Sequence, residues 1–400
     1  MTRLVFRGGR IFDGSGADPM PGDVAIEHGR IVDVGSELDG DDAVDVTGRT
    51  ILPGLFDCHT HVCVSHVDLW KVAQRPFSYE FYEAQRNLAA TLRVGITTIR
   101  DAGGADLGIK EAVADGLIPG PRMQISISML TQTGGHGDNW YPSGAIVPFL
   151  ISHPGRPSGL VDGPDEVRRK IRELVRAGAD VIKVATSGGV LSPRDEPRHA
   201  HFRPTELEAL VEEATAAGIF VMAHAQGPDG IKNAVRAGIR SIDHGIYLDD
   251  EAIELMKERG TWFVPTLVAP QGVIDAAAAG VPLPPVVVDK ANRVAEIHRA
   301  AFRHAVEAGV RIAMGTDSGV TPHGRNLREL TLMVAGGMTP AAALEATTRS
   351  AARLLGVDDT LGTIEAGKTA DLVVVSGDPY AFDDLAERVD EVWKAGERAV

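Results

Sequence analysis

The sequence predicts an α/β protein, a (β/α)₈ TIM barrel with a small β-sandwich domain that is formed from both chain ends. In the middle of the chain, a helical stretch, a glycine and an apolar strand recur in that order. Eight strands alternate with helices over about 300 residues, which is typical of a barrel. At both ends, short apolar runs alternate with Gly, Asp and Pro, which indicates strands and tight turns. A doubly wound open sheet is the structural alternative.

The two ends of the chain have the same pattern of short strands. The apolar runs that predict these strands are 4–6, 11–12, 24–26, 31–34, 371–375 and 391–397. Neither end contains enough apolar residues for a core of its own, so we expect them to combine into one β-domain. The sequence therefore predicts a first part of this domain at 1–54, a barrel at 55–357 and a second part of the domain at 358–400.

The barrel region contains eight predicted strands, most of which follow a helix that ends at a glycine, the residue that fits the left-handed conformation there. The strands are 56–61, 97–101, 123–129, 181–183, 220–224, 241–244, 262–266 and 312–317. Thr205 and Glu208 predict a capping box at the start of one helix. Thr339 and Pro340 predict a cap and a first-turn proline for a single helix that runs to Leu355.

Composition and charge narrow the classes of function. The 400 residues are 44% apolar and 24% charged, as in ordinary soluble globular proteins. The net charge of −15 disfavours nucleic acid and anionic membrane surfaces as partners. The N-terminus has no apolar run of signal length, and no run reaches the roughly 20 residues of a membrane span. Cys58 and Cys63 imply no disulfide framework and suit a reducing compartment. We therefore expect a cytoplasmic protein that acts on a small molecule.

Polar residues stand at the ends of the predicted strands, where the chemistry of a barrel is located. They are His59, His61, Lys183, His224, His244 and Asp317. His59 and His61 share a face of an extended chain, and neutral imidazole is the commonest nitrogen ligand of zinc and similar metals. Individually, these residues have other interpretations: His224 and His244 as half-buried histidines, Lys183 as a Schiff-base lysine and Asp317 as a helix cap. Because all six stand at the same end of the predicted barrel, a metal site is favoured over six unrelated roles.

At these positions the chain resembles the amidohydrolase superfamily of metal-dependent hydrolases, over essentially its whole length. The shared features are His-Thr-His on strand one, a lysine on strand four, histidines on strands five and six, and an aspartate on strand eight. Three further segments resemble the branch of imidazolonepropionase-related enzymes and Xaa-Pro dipeptidases. They are Gly188-Gly-Val-Leu-Ser-Pro193, Ala223-His-Ala-Gln226 and Ser241-Ile-Asp-His-Gly245. The resemblance also implies the β-domain formed from both ends.

The residues and the resemblance together predict a site for two divalent metal ions, expected to be zinc. The two histidines of strand one and Asp317 would hold one ion, and His224 and His244 would hold the other. Apolar neighbours favour the neutral amine of Lys183, and the resemblance implies that this lysine is carboxylated and bridges both ions. A hydroxide between the ions would attack a carbonyl, and Asp317 would pass its proton to the leaving nitrogen.

Four residues are candidates for contacts with the substrate. His136, on a Gly-rich loop, is also a catalytic candidate because its imidazole could reach a carbonyl or an oxyanion. Gln226 stands where dipeptidases of this branch tend to carry Tyr, and it offers an amide instead of a hydroxyl. Arg203, in an arginine-rich loop, could pair with a substrate carboxylate, and Asn326 follows strand eight. The alternatives are a plain surface loop around His136 and a solvated face around Arg203.

The sequence thus predicts a two-metal hydrolase of an amide C–N bond, of the Xaa-Pro dipeptide or N-acyl amino acid type. One alternative is a hydrolase of cyclic amides, carbamates or esters with the same site. The other is a lyase that forms a Schiff base on Lys183. Because barrels of this branch commonly assemble, the resemblance also implies a homo-oligomer.

Overall fold

The structure is a computed structural model that describes residues 2–400 and every side chain among them except that of Leu69. Five strands come first: β1 (Leu4–Ile11), β2 (Met20–Glu27), β3 (Arg30–Gly35), β4 (Asp42–Asp45) and β5 (Arg49–Pro53). The middle of the chain contributes β6 (Leu55–Thr60), β7 (Ile96–Asp101), β8 (Arg122–Ile125), β9 (Met129–Leu130), β10 (Val181–Ala185), β11 (Phe220–Ala225), β12 (Ser241–His244), β13 (Trp262–Val264) and β14 (Arg311–Ile312). The last strands are β15 (Leu372–Ser376), β16 (Val389–Lys394) and β17 (Glu397–Arg398).

Helices separate most of the middle strands. They are α1 (Leu69–Ala73), α2 (Tyr79–Arg93), α3 (Leu107–Ala114), α4 (Pro164–Arg176), α5 (Pro204–Ala216), α6 (Pro228–Ala237), α7 (Asp250–Arg259), α8 (Val268–Ala278), α9 (Pro285–Glu307), α10 (Arg328–Ala335), α11 (Pro340–Ala346), α12 (Arg349–Leu355) and a 3₁₀ helix at Phe382–Arg388. Five of them begin with proline in the first turn, where no helical partner exists for its missing N–H. Gly238, Gly260 and Gly356 end three helices in the left-handed conformation.

Two helix predictions need correction. The predicted capping box at Thr205 and Glu208 is wrong, because α5 already begins at Pro204 and the Glu206 side chain accepts the Arg203 backbone N–H at 2.6 Å. Thr339 does cap α11, accepting the N–H of Ala342.

The helix that follows Thr339 ends earlier than predicted. The run to Leu355 is divided into α11 and α12, because Thr347 donates its hydroxyl to the carbonyl of Phe56 at 2.6 Å. The polar side chain of Thr348 also donates back to the carbonyl of Leu344 at 2.7 Å. The break joins this part of the chain to β6.

Strands from both ends of the chain share one sheet, in the order β17-β16-β15-β5-β1-β2-β3, with β4 beside β1. Leu372 of β15 lies opposite Pro53 of β5, and the Phe6 and Trp393 rings meet edge to face with centroids 5.1 Å apart. The ends therefore combine along one hydrogen-bonded path of strands, and the arrangement as a sandwich stays a prediction. Near its middle β1 shifts register between Phe6 and Gly9, and it pairs first with β4 and then with β5.

The middle strands pair in parallel in two sheets, β6-β7-β8 and β9-β10-β11-β12-β13-β14. The predicted strand 123–129 is divided, because Ile127 has a φ of 65°, which no strand permits. The last predicted strand is also shorter, since pairing as a strand ends at Ile312. Beyond it, Asp317 donates its N–H to the carbonyl of His59 at 2.7 Å.

The middle strands are buried on both faces, as parallel strands covered by helices are. Every residue of β6, β7 and β10 is buried. Ile99, Ile182, Ala223 and Phe263 belong to one large apolar cluster with residues of the helices. Within residues 2–400, the helices are all too short or too polar to cross a bilayer. The fold leaves the polar strand ends together at one edge.

Candidate active site

A cavity of about 790 Å³ lies at the carboxyl ends of the middle strands. The six residues predicted as ligands all line it: His59, His61, Lys183, His224, His244 and Asp317. Four of them belong to β6, β10, β11 and β12, and the other two follow β6 and β14. The structure therefore brings the six together, and their role as ligands stays a prediction at this point.

Two imidazole rings and a carboxylate form the tightest group in the described part of the chain. His59, His244 and Asp317 each offer one ligand atom within 4.8 Å of the others. Asp317 Oδ1 lies 3.4 Å from His59 Nε2 and 3.3 Å from His61 Nε2. Imidazole nitrogens and a carboxylate oxygen that converge in this way are the donors that Zn²⁺ prefers.

The Nδ1 atom of each of three imidazole rings has a hydrogen-bond partner at 2.8 Å. The pairs are His59 with Asp243 Oδ2, His61 with the Gly103 carbonyl, and His244 with Thr266 Oγ1. A carboxylate and a carbonyl only accept hydrogen bonds, so the first two rings carry their proton on Nδ1. Their Nε2 lone pairs are then free, which is the arrangement of metal-ligating histidines.

Burial and neighbouring charges give His224, His244 and Asp317 the protonation states that a metal site requires, whereas for His61 the lowering of the pKa by burial is outweighed by Asp317, which raises it. Desolvation lowers the pKa of His224 and His244 well below the ordinary value, which keeps both imidazoles neutral. Burial raises the pKa of Asp317, but its interactions with His59, His61 and His244 together outweigh that effect, so the pKa of this carboxyl lies well below its usual range. Neutral imidazole and ionised carboxylate are the forms that bind metal.

A buried network of charges adjoins the histidines. Lys183 is 1% exposed, and its Nζ lies 3.4 Å from Asp243 Oδ2. Arg100 Nη2 lies 3.3 Å from the other oxygen of Asp243. Burial lowers the pKa of Lys183, although Asp243 acts in the opposite direction. Burial therefore shifts this lysine toward the neutral amine that its carboxylation requires.

Backbone strain is concentrated at the same strand ends. His244, Thr266 and Asp317 have φ values of 73°, 53° and 58°, in the left-handed region that β-branched residues such as threonine avoid. The contacts described above hold each of them in place. Strain of this kind persists where the surrounding structure determines it, and it is typical of functional sites.

His224 stands apart from the tightest group. Its Nε2 lies 3.1 Å from the carbonyl of Gly188, and its ring stacks on that of His136 with centroids 4.2 Å apart. His136 also lines the cavity, with its Nδ1 2.7 Å from Ser192 Oγ. A Cβ atom on Gly189 would lie 2.1 Å from the His136 ring, so only glycine permits this position of the imidazole.

Of the predicted substrate contacts, Gln226 and His136 line the cavity, whereas Arg203 and Asn326 do not. Gln226 is 5% exposed, and its Oε1 has no hydrogen-bond partner within the described residues. The structure gives no support to the assignments of Arg203 and Asn326 to the substrate. Arg203 lies exposed at the start of α5. Asn326 is fully buried and donates to Asp57 Oδ2 at 2.8 Å, because that buried carboxylate needs donors.

Sequence reasoning missed the residues that orient the histidines. Asp243 precedes His244 in the chain, and an acid beside a strand-end histidine is a usable signal, because ligating histidines commonly donate to a carboxylate. Arg100 and Thr266 carry no such signal. Their contacts depend on how neighbouring strands lie side by side.

Comparison with known proteins identifies the family. The amidohydrolase family model matches residues 50–399. The chain belongs to the amidohydrolase family. Ochratoxinase of Aspergillus niger is 37% identical over 368 residues, which cover 86% of this chain and 75% of that protein. Imidazolonepropionase of Geobacillus kaustophilus is 26% identical, with 90% and 84% covered. The crystal structure of a Xaa-Pro dipeptidase with methionine in its active site superposes with a TM-score of 0.90 at 34% identity, covering 99% of both chains.

These comparisons confirm the resemblance that the motifs predicted. As an amidohydrolase, the chain is a hydrolase that acts on C–N bonds, and its relatives imply a TIM barrel with a sheet domain. Divalent metal ions are general in the family, and the donors at this site fit them. Two histidines present free Nε2 atoms beside an ionised Asp317. Among the six candidate ligands, Lys183 is the one lysine, and burial lowers its pKa, which shifts it toward the neutral amine.

Proposed function

We propose that this amidohydrolase cleaves an amide C–N bond with two divalent metal ions, expected to be zinc. The observation that supports this most is the convergence of His59 Nε2 and His61 Nε2 on Asp317 Oδ1, at 3.4 and 3.3 Å. Partners that only accept hydrogen bonds hold the Nδ1 atoms of both rings. A half-buried structural histidine needs no such pair of free nitrogens facing a carboxylate.

Each candidate ligand then has a place. The two histidines at the end of β6 and Asp317 would hold one ion, and His224 and His244 would hold the other, with carboxylated Lys183 between them. His224 would exchange its contact with the Gly188 carbonyl for the metal. When bound, such ions activate a water molecule and polarise a carbonyl group.

Asp317 would move the proton of the reaction. Its side chain is 13% exposed, so it faces the cavity while the histidines keep it ionised. As a carboxylate it can take the proton of the attacking water and then give it to the leaving nitrogen, which contributes about 10²–10⁴ in rate. His136, whose Nδ1 is held by Ser192 and Asp195, would in its imidazolium form donate from Nε2 to the negative charge that develops on the carbonyl oxygen.

The substrate type of the proposal is a Xaa-Pro dipeptide or an N-acyl amino acid. The names of the relatives support it, since one is an ochratoxinase and another a Xaa-Pro dipeptidase. Gln226 would meet such a substrate with an amide whose Oε1 has no partner within residues 2–400. A buried amide without a partner is costly, which favours a hydrogen bond to a bound ligand.

One observation favours the second candidate, a hydrolase of carboxylate-free amides, cyclic amides, carbamates or esters. Among the described residues that line the cavity, Arg156 is the only arginine and Lys183 is the only lysine. Arg156 is 2% exposed and already donates to the carbonyls of Gly104 and Ile151 and to Glu80. It therefore has little capacity left for a substrate carboxylate.

The arginines of the loop after β10 also have other contacts. Arg194 lies over the Trp140 ring and Arg198 over the Tyr247 ring, at 5.4 and 4.4 Å from the centroids. Neither lines the cavity. A carboxylate would thus depend on histidine or on the metal ions for its counter-charge.

A matched panel of substrates tests both candidates. The panel pairs each N-acyl amino acid with the same acyl group on the amine that lacks the carboxylate, and adds Xaa-Pro dipeptides. Higher kcat/KM on the carboxylates supports the first candidate, and equal or higher kcat/KM on the carboxylate-free partners supports the second. If metal-loaded protein hydrolyses none of the panel and no carbamate or ester, the proposed function is wrong.

The remaining predictions belong to the same proposal. A Schiff-base lyase on Lys183 would be supported by borohydride trapping, but the family membership argues for hydrolysis.

We also propose that the two parallel sheets close into one (β/α)₈ barrel at 55–357, with the β-domain at 1–54 and 358–400. The bond from the Cys58 N–H to the Met314 carbonyl at 2.9 Å supports closure on one side. The hydrogen bond from the Asp180 N–H to the Ile125 carbonyl at 2.8 Å supports closure on the other side. A homo-oligomer in the cytoplasm stays a prediction.

A further inference from the structure

A buried lysine outside the six candidate ligands fixes a loop at the edge of the cavity. Lys290, in α9, is 1% exposed. Its Nζ donates to the carbonyls of Gly189 at 3.1 Å, Ser192 at 2.8 Å and Asp195. Asp195 Oδ1 lies 3.6 Å from the same Nζ. An ammonium group has three N–H donors, and the three carbonyls accept all of them. Lys290 therefore fixes residues 188–196, called the 188–196 loop below, as a bound cation would.

The 188–196 loop in turn holds His136. Ser192 Oγ and Asp195 Oδ2 lie 2.7 and 3.4 Å from His136 Nδ1, and Ser192 donates its hydroxyl to Asp195. The close approach of Gly189 to the imidazole keeps the ring stacked on His224. The chain of contacts therefore runs from α9 through the loop to a ring that lines the cavity.

The loop also has an apolar anchor that does not involve the ammonium group. Val190 packs in a buried cluster with Val287, Ala291 and Val294 of α9. Loss of the ammonium group would therefore leave the loop attached to the helix, but without a fixed place for Ser192 and Asp195. The effect of such a change falls on the position of His136, and the fold is retained.

We propose that Lys290 and Asp195 are positioning residues, whose buried ion pair keeps the 188–196 loop against His136 and so aims the imidazole into the cavity. The proposal rests on the proposed function only where it assigns His136 a part in the reaction. The placement of the loop itself does not depend on any activity. The two parts can therefore be tested separately.

Lys290→Met tests the placement of the loop, because methionine keeps a similar length and loses the ammonium group. Arg194, within the loop, is exposed and offers a trypsin site. We expect cleavage after Arg194, followed by mass spectrometry, to be at least about tenfold faster in Lys290→Met and in Asp195→Asn than in the unmodified protein. Lys170→Met is the matched control, since Lys170 is also buried in a helix but pairs with Glu173 of that helix. An unchanged cleavage rate in both loop variants would overturn the inference.

Kinetics test whether the loop acts through His136. We expect Lys290→Met to keep its metal content and to lose about 10²-fold in kcat/KM on the best substrate of the panel, as a small misplacement of a reacting group does. In a His136→Ala background the same change should cause no further loss. Equal losses in both backgrounds would refute positioning through His136. If His136→Ala alone leaves kcat/KM unchanged, the catalytic part of the proposed function fails, and trypsin cleavage still decides the role of Lys290.

Discussion

Replacing Asp243 by asparagine removes one negative charge from a buried network while keeping the shape of the side chain. Asp243 is 0% exposed and faces Arg100, Lys183 and His59 at 3.3, 3.4 and 2.8 Å. An amide accepts hydrogen bonds through one oxygen only. If that oxygen serves His59, the amide nitrogen faces the donors of Arg100 and Ser241, and the reverse orientation leaves the Nδ1 of His59 without an acceptor.

The contacts set the size of the effect. Removing one partner of a buried ion pair costs about 3–5 kcal/mol. With an unfolding entropy of about 2.1 cal/mol/K for each of 400 residues, this corresponds to a Tm lower by about 4–6 °C. Loss of the carboxylate that orients His59 should also weaken metal binding by about 10–100-fold.

Scanning calorimetry of metal-free protein measures the first effect, and titration of that protein with zinc measures the second. Asp249→Asn is the matched control, because Asp249 is a surface N-cap of α7 and asparagine caps a helix equally well. Its Tm should change by less than about 1 °C, as surface substitutions usually do. If Asp243→Asn leaves both Tm and the zinc Kd unchanged, the network does not orient His59 and the reasoning is wrong.

Three other substitutions give distinct outcomes. Asp317→Asn should keep much of the metal, since the other ligands remain, and lower kcat by about 10²–10⁴; a near-normal kcat would remove Asp317 from proton transfer. Lys183→Ala should lose metal and activity together, with partial recovery in short-chain carboxylic acids, whereas full metal and turnover would exclude the carboxylated lysine. Burial disfavours ionisation of Asp195, but His136, Ser192 and Lys290 lower its pKa from 3.8 to about 2. Its charge therefore stabilises the fold by about 2 kcal/mol above about pH 4, and this is lost as the pH falls toward 2. Calorimetry should show a larger Tm loss for Asp195→Asn at pH 7 than near pH 2.5, and equal losses would contradict this.

The strand-end residues of the site could be predicted from the sequence because their spacing follows the repeat of the fold. Each glycine that ends a helix places the next apolar strand, and the polar residue that closes the strand then lies at a known edge. Lys183 and His224 were found in this way, and both line the cavity. The motifs also indicated the family, which the comparisons confirm.

Residues in loops, and residues that act through hydrogen bonds to distant parts of the chain, could not be predicted in the same way. Arg203 was assigned to the substrate from charge alone, but its place depends on where α5 begins. Asn326 follows a strand end, yet it turns inward because the buried carboxylate of Asp57 needs a donor. Lys290 looks in the sequence like one more helical lysine, and its contact with a loop about a hundred residues earlier exists only in three dimensions.

The number of metal ions per chain tests the central claim most directly. Purified protein, loaded with zinc and freed of excess metal, should contain two equivalents by mass spectrometry of the metal. An anomalous scattering map should place one ion beside His59 and Asp317 and the other beside His224 and His244. Hydrolysis should disappear on chelation and return with two equivalents of zinc. Full hydrolytic activity in protein that holds no metal, or full activity with a single ion, would contradict the account.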